Sequence, residues 1–176
     1  MKFLQLSSIE NMTAFIKLAT PSDATGIAKV HTDSWRSTYT SIVDDGYLNG
    51  LDPATKAAWW AQAIAHGAVV HVAVVDGQIV GFANGGKNRE DGKYEGELYA
   101  LYLLKEYQGI GIGTLLFDAV VSELKSKGIT SMMVWVLRDN SSREFYIHQG
   151  GAYIRDMEIE IGGQTLVEEA YGWDSL

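Results

Sequence analysis

Cysteine is absent from this sequence. Disulfides, thiolate metal sites and a cysteine nucleophile are therefore excluded. The lack of cysteine suits the cytoplasm, which is the expected location. Cations are scarce: 14 Lys and Arg stand against 22 Asp and Glu, a formal charge of −8. That balance argues against a nucleic acid backbone as partner, which needs a basic face, and disfavours an anionic membrane surface; neither is expected. It is compatible with a cationic substrate such as an amine, and equally with acidity that only aids solubility. No apolar run approaches the roughly 20 residues of a membrane span. His66, His71 and His148 show no metal-ligand spacing, and no metal is expected. Internal repeats and low-complexity tracts are also missing.

What is present reads as an ordinary globular chain. Hydrophobic residues make up 47% and charged residues 20% of 176 positions, which fits one domain with a sizeable core. Residues 1–12 hold one lysine and the short apolar patch Phe3-Leu4-Gln5-Leu6, shorter than a signal-peptide core of about 7–15 residues. They are read as an extension, with a single domain over 13–176.

The expected elements follow in order. Ala14 to Leu18 is a strand. Thr20-Pro21-Ser22-Asp23 opens a helix, with Thr as cap, Pro at the first position and an acid in the first turn. Asp52-Pro53 opens a second, which stops at Gly67. Val69 to Val75 and Gln78 to Ala83 are strands joined by Asp76-Gly77, a strong hairpin signal. Lys87 to Gly92 is a polar loop, and Glu95 to Leu104 the next strand. Ile112, Leu115, Leu116, Ala119, Val120 and Leu124 form one face of a helix that ends at Gly128. Met132 to Leu137 is a buried strand. Asn140 opens a helix that ends near Gly150-Gly151. Ala152 to Ile161 and Thr165 to Trp173 form a last hairpin. The class is α/β (α+β): a mixed, mostly antiparallel sheet with a central parallel strand–helix–strand crossover and helices on both faces.

The strand before residue 104 runs into Gln108-Gly109-Ile110-Gly111-Ile112-Gly113 and then a helix. A helix N-terminus offers N–H groups and partial positive charge. Glycine lets the backbone approach an anion with no Cβ between, so the bend can hold a diphosphate without lysine. Such a cluster can also be only a tight turn. Thr114 stands where a dinucleotide-binding G-x-G-x-x-G would need glycine, and no Gly-Lys-Ser/Thr is present.

Gln108, Gly111 and Gly113 spell Q-x-x-G-x-G, and here the chain resembles the GNAT superfamily of N-acetyltransferases. The likeness is closest in residues 97–103, 107–113 and 140–146, and extends to Ser34–Tyr39 and Tyr171-Gly172-Trp173. It implies acetyl-coenzyme A as co-substrate, held through Gln108, Gly109, Ile110, Gly111, Ile112, Gly113 and Thr114. The backbone of Leu101, Tyr102 and Leu103 would pair with the pantetheine arm in the manner of an added strand. The Asn140 side chain would hold the arm too, or serve only as a helix cap. Tyr146 would assist departure of the thiolate, with a packing role as its alternative. The Asn-to-Tyr spacing is six residues where many family members have seven. Glu97 is the candidate base, with Glu95 competing for the role. Trp35 and Tyr39 share a helical face that the likeness places over the acceptor; they can hold an ammonium group or simply cover the core.

The function expected is transfer of an acetyl group from acetyl-coenzyme A to a primary amine of a small molecule or peptide, by direct attack with both substrates bound. A different acyl donor is one rival. A non-catalytic acyl-coenzyme A sensor, which would need no Tyr146, is another. The terminal hairpin and five tryptophans offer surface for a homodimer.

Overall fold

The structure is a computed structural model and describes residues 13–176; the extension expected over residues 1–12 lies outside the described residues. Seven strands form one sheet: β1 (Ala14–Leu18), β2 (Val70–Val75), β3 (Gln78–Lys87), β4 (Gly96–Leu103), β5 (Met132–Leu137), β6 (Ala152–Ile161) and β7 (Gln164–Trp173). Their order is β1-β2-β3-β4-β5-β7-β6. The helices are α1 (Ala24–Tyr39), α2 (Asp45–Asn49), α3 (Pro53–Ala65), α4 (Ile112–Ser126) and α5 (Arg143–His148). The chain divides into two compact units. One holds the residues up to Ser34 with Asp52–Asn84 and Ala100–Val120; the other holds Trp35–Leu51, Gly85–Tyr99 and Val121–Leu176.

In the first unit β1, β2 and the start of β3 are antiparallel. Asp76 and Gly77 have φ of 48° and 81°, the two positive angles that the hairpin signal requires. The β2–β3 register slips by one at Val80, so Ile79 faces Val74 but Gly81 faces Ala73. That bulge frees the Val80 carbonyl to accept the Leu104 N–H at 2.9 Å. Phe82 turns to one side, into a core with Ile27 and Val30 of α1 and Trp60 of α3. Gly81 turns to the other, where an added Cβ would lie 2.7 Å from Leu103 and 3.1 Å from Leu116 of α4. Helices therefore cover both faces here. Asp52 caps α3 by accepting the Ala54 and Thr55 N–H groups, and Pro53 fills the position whose N–H has no partner.

In the second unit β4 and β5 are parallel from Gly96↔Met132 to Leu98↔Val134, the crossover expected around α4. On its other side β5 pairs along its whole length with β7, antiparallel, and β7 pairs with β6. Tyr39, Val43, Leu48 and Leu137 form a core joined by Trp35, Leu166 and Ile161. The tip of the β6–β7 hairpin is pinned. Gln164 accepts the Asp44 N–H at 3.0 Å and donates to the Ile42 carbonyl at 3.2 Å. An added Cβ on Gly162 would lie 2.8 Å from Tyr47.

α4 starts at Ile112, the first residue of the expected helical face, and takes in Gly113. Three expectations are corrected. The short α2 was not foreseen. β3 runs to Lys87, beyond Ala83. α5 starts at Arg143: the Asn140 side chain closes a turn ahead of it by accepting the Ser142 N–H at 2.8 Å, a conformation that asparagine stabilises locally.

Candidate functional site

In the first unit β4 leads through a short turn at Lys105–Tyr107 to the glycine bend. The Gln108 side-chain amide donates to the Leu103 carbonyl at 3.0 Å and fixes the bend to the strand end. Gly109 and Gly111 have φ of 74° and 91°, a region that a residue bearing a Cβ enters at a penalty of about 1–2 kcal/mol. A Cβ on Gly109 would meet nothing within 4 Å. Gly113 has ordinary helical backbone, so its contribution is small size and not conformation. The first α4 bond runs from the Leu115 N–H to the Gly111 carbonyl. The amides of Ile112, Gly113 and Thr114 precede it, and a first turn directs such amides out of the helix end. Backbone donors, a helix terminus and open space around Gly109 fit an extended diphosphate.

Leu101 and Tyr102 are half-buried and Leu103 is buried. The Tyr102 ring stacks on His31 at 4.9 Å. The His31 Nδ1 faces the Trp60 indole N–H at 3.4 Å. Burial, with a smaller push from Lys56, holds the His31 pKa down to about 4. His31 is thus a neutral core group.

The second unit holds the remaining expected residues. Tyr146 is buried on α5, edge-on to Phe145. Asn140 is buried too, and its amide nitrogen donates to the Tyr39 hydroxyl at 3.3 Å. Tyr39 is a core residue, and Trp35 lies against it at 4.6 Å and against Tyr47 at 6.0 Å. Trp35 is the more open of the pair. Glu95 accepts the Thr130 N–H and hydroxyl at 2.8 and 3.0 Å. Those bonds hold its carboxyl below the usual range and tie it to the turn before β5.

Glu97 is 2% exposed. Arg89 grips both its oxygens, at 2.5 Å through Nη2 and 3.1 Å through Nε, and the Arg89 backbone N–H adds a third donor at 3.2 Å. A forked guanidinium is a strong partner for a carboxylate, and the bond to Glu97 raises the Arg89 pKa. The Arg89 guanidinium also lies 4.7 Å from the Tyr99 ring centre.

One arrangement was not foreseen. Glu169, 8% exposed on β7, accepts from Tyr171 at 2.7 Å, from Arg138 at 3.2 Å and from Arg143 of α5 at 3.5 Å. The Tyr171 bond holds Glu169 below its ordinary pKa. Burial first, then Glu169, pushes Tyr171 up to about 12. The signal available was the i, i+2 spacing of Glu169 and Tyr171, which places both on one face of a strand.

The chain matches the acetyltransferase (GNAT) family over residues 29–150. It is 38% identical to the uncharacterized N-acetyltransferase YuaI of Bacillus subtilis, covering 92% of this chain and 93% of that protein. A GCN5-related N-acetyltransferase from Rhodopseudomonas palustris superposes with a TM-score of 0.74 at 22% identity, covering 96% of this chain and all of that one. The PaiA N-acetyltransferase of Thermoplasma acidophilum, solved with coenzyme A, superposes at 0.66 with 21% identity, covering 89% of this chain and 98% of its own.

Proposed function

The chain belongs to the GNAT family and is an acetyl-coenzyme A-dependent acetyltransferase, and from that premise we propose that it acetylates a primary amine of a small molecule or peptide. In this reading residues 13–176 act as one catalytic domain in the cytoplasm. No helix among the described residues is long and apolar enough to cross a membrane.

The observation that carries the proposal is the bend at Gly109 and Gly111, whose positive φ angles bring backbone amides to the start of α4. The amides from Gly109 to Thr114 would bind the coenzyme diphosphate, while Gln108, whose own N–H goes to the Lys105 carbonyl at 3.2 Å, would shape the bend through its side chain. The relative from Thermoplasma acidophilum holds coenzyme A, which supports that use. The β4–β5 ladder covers only Gly96–Leu98 of a strand that continues to Leu103. This supports the Leu101–Leu103 backbone as the partner of the pantetheine arm. One proton of the Asn140 amide goes to Tyr39, and the second would serve the arm.

The coenzyme supplies an activated thioester when bound. Tyr146 would give a proton or a hydrogen bond to the departing sulfur, since charge develops on it as a thiolate, the conjugate base of a thiol of pKa about 8.5, and a nearby phenol can donate to that charge. Trp35, backed by Tyr39, would hold the acceptor ammonium against its ring. Glu97, with both oxygens held by Arg89, would order the chain between β3 and β4.

Purified protein incubated with acetyl-coenzyme A and a panel of amines should release free thiol only when a suitable amine is present. Tyr146→Phe should lower kcat at least tenfold while coenzyme affinity stays near that of the parent. Coenzyme retention with no amine-dependent thiol release would overturn the proposal.

A further inference from the structure

We propose that Glu168, rather than Glu97, accepts the proton that the acceptor ammonium must lose. The inference rests on the amine-acetylation reading above and names a residue for one of its steps.

The contrast between the two carboxylates begins with their partners. Three donors from Arg89 already engage Glu97, and taking up a proton would break a buried ion pair. Among the described residues no hydrogen bond or ion pair reaches the Glu168 carboxylate. It is half-buried, open on one side to solvent.

The register places both on one face of the sheet. Glu97 is level with Met133, and Met133 with Gly172. Along β7, Gly172, Ala170 and Glu168 alternate onto that same face. Glu168 stands opposite Leu137 of β5 and Met157 of β6. Leu137 and the next same-face residue, Leu166, pack in the cluster that holds Tyr39 and Trp35. Glu168 therefore rises beside the aromatic group assigned to the acceptor.

The charged groups around it agree. Arg89 and Glu90 approach from the segment after β3, and Glu97 from β4. Arg155 of β6 is taken by Glu90 at 2.7 Å and stacks over Trp135 at 4.8 Å. Burial, then Glu90 and Glu97, push the Glu168 carboxyl above its ordinary range, against a smaller pull from Arg89. A base is most effective when its pKa lies near the working pH, and burial beside like charge is the usual way to bring a carboxyl there.

The step balances as follows. The ammonium passes one proton to the Glu168 carboxylate and becomes a neutral amine. Its lone pair forms the new C–N bond at the thioester carbon. The C–S bond breaks with its electron pair on sulfur. Sulfur takes a proton from Tyr146, which regains one from the amide nitrogen, and Glu168 returns its proton to water.

The test compares Glu168→Gln and Glu97→Gln with the parent by thiol release across pH. Glu168→Gln should lower kcat/KM for the amine roughly 100-fold, remove the acid limb of its pH profile, and leave coenzyme affinity and Tm unchanged. Glu97→Gln should lower Tm and turnover but keep the acid limb. A parent-like rate and acid limb in Glu168→Gln would overturn the assignment, with the acetylation reading intact. In a second readout, 13C-carboxyl NMR of glutamate-labelled protein should show one carboxyl titrating above the others, missing in Glu168→Gln. Titration of Glu168 together with the exposed glutamates would overturn the assignment whatever the activity. A parent that releases no thiol with any amine would remove the reading itself.

Discussion

The unit that carries the glycine bend and the unit that carries Tyr146 keep polar atoms in different ways. The first buries two hydroxyl residues, Thr32 and Ser34, inside an aliphatic and aromatic core. Its candidate chemistry comes from backbone amides in a bend. The second buries the carboxylates Glu97 and Glu169 with Asn140 and Ser131. There the carboxylates are held by arginines, and the chemistry depends on side chains in a hydrogen-bonded arrangement. A backbone binding surface tolerates many side chains, whereas a buried carboxylate needs each of its donors.

The widest separation between the two should appear on acidification. Burial holds the His31 pKa at about 4 against 6.5 for an unhindered imidazole. The unfolded chain therefore binds a proton over that interval that the native chain refuses. The stability contributed is full above pH 6.5 and is lost as pH falls toward 4, about 3 kcal/mol in all. Glu169 is depressed below its ordinary 4.5, so its contribution is present above that value and lost only at lower pH. Hydrogen exchange resolved by residue should show the first unit weakening between pH 6.5 and 4 while strands β6 and β7 stay protected. His31→Gln should flatten the Tm profile over that interval; an unchanged slope would erase the distinction.

Removing charge from the second unit comes next. Glu169→Gln keeps the shape of the side chain but weakens bonds to Tyr171, Arg138 and Arg143. A loss of about 2 kcal/mol is expected from denaturant unfolding, with the Tyr171 hydroxyl titrating at lower pH in ultraviolet absorbance. A smaller effect is expected from Gly111→Val in the first unit. Its φ of 91° is strained for a β-branched residue, and coenzyme affinity by calorimetry should fall about tenfold. The smallest should come from Gln164→Ala, which removes two exposed hydrogen bonds and should lower stability by about 0.5–1 kcal/mol. A larger loss would show that the hairpin tip supports far more than itself.

The same division governs what the sequence reveals. Both hairpins and the glycine bend are written in neighbouring residues, because positive φ, at consecutive positions in the hairpins and at Gly109 and Gly111 in the bend, demands particular residue types. α2 escapes notice because Asp45-Gly46-Tyr47-Leu48-Asn49 is short and includes glycine. It is held from a distance by Arg36, which donates to the carbonyls of Leu48 and Leu51. α5 starts later than Asn140 because asparagine favours a turn as readily as a cap. The Arg89–Glu97 pair and the arginine donors on Glu169 depend on the fold, which brings together residues 8 to 31 positions apart. A linear pattern shows Glu97 as a strand glutamate and says nothing of the arginine that neutralises it. Trp35 and Tyr39 do share a face as their spacing implies, but only the fold shows that Tyr39 is bonded to Asn140.

The two hairpin tips also differ in what evolution or an engineer can do with them. Around Gly77 nothing lies within 4 Å of an added Cβ, so that corner can accept a tag, a label or an inserted peptide. The corner at Gly162 is stitched to the α1–α2 connection by Gln164 and wedged against Tyr47. Lengthening it would unfasten α2 as well. Diversity near the aromatic group should therefore arise by exchanging side chains along α2, with loop length held constant.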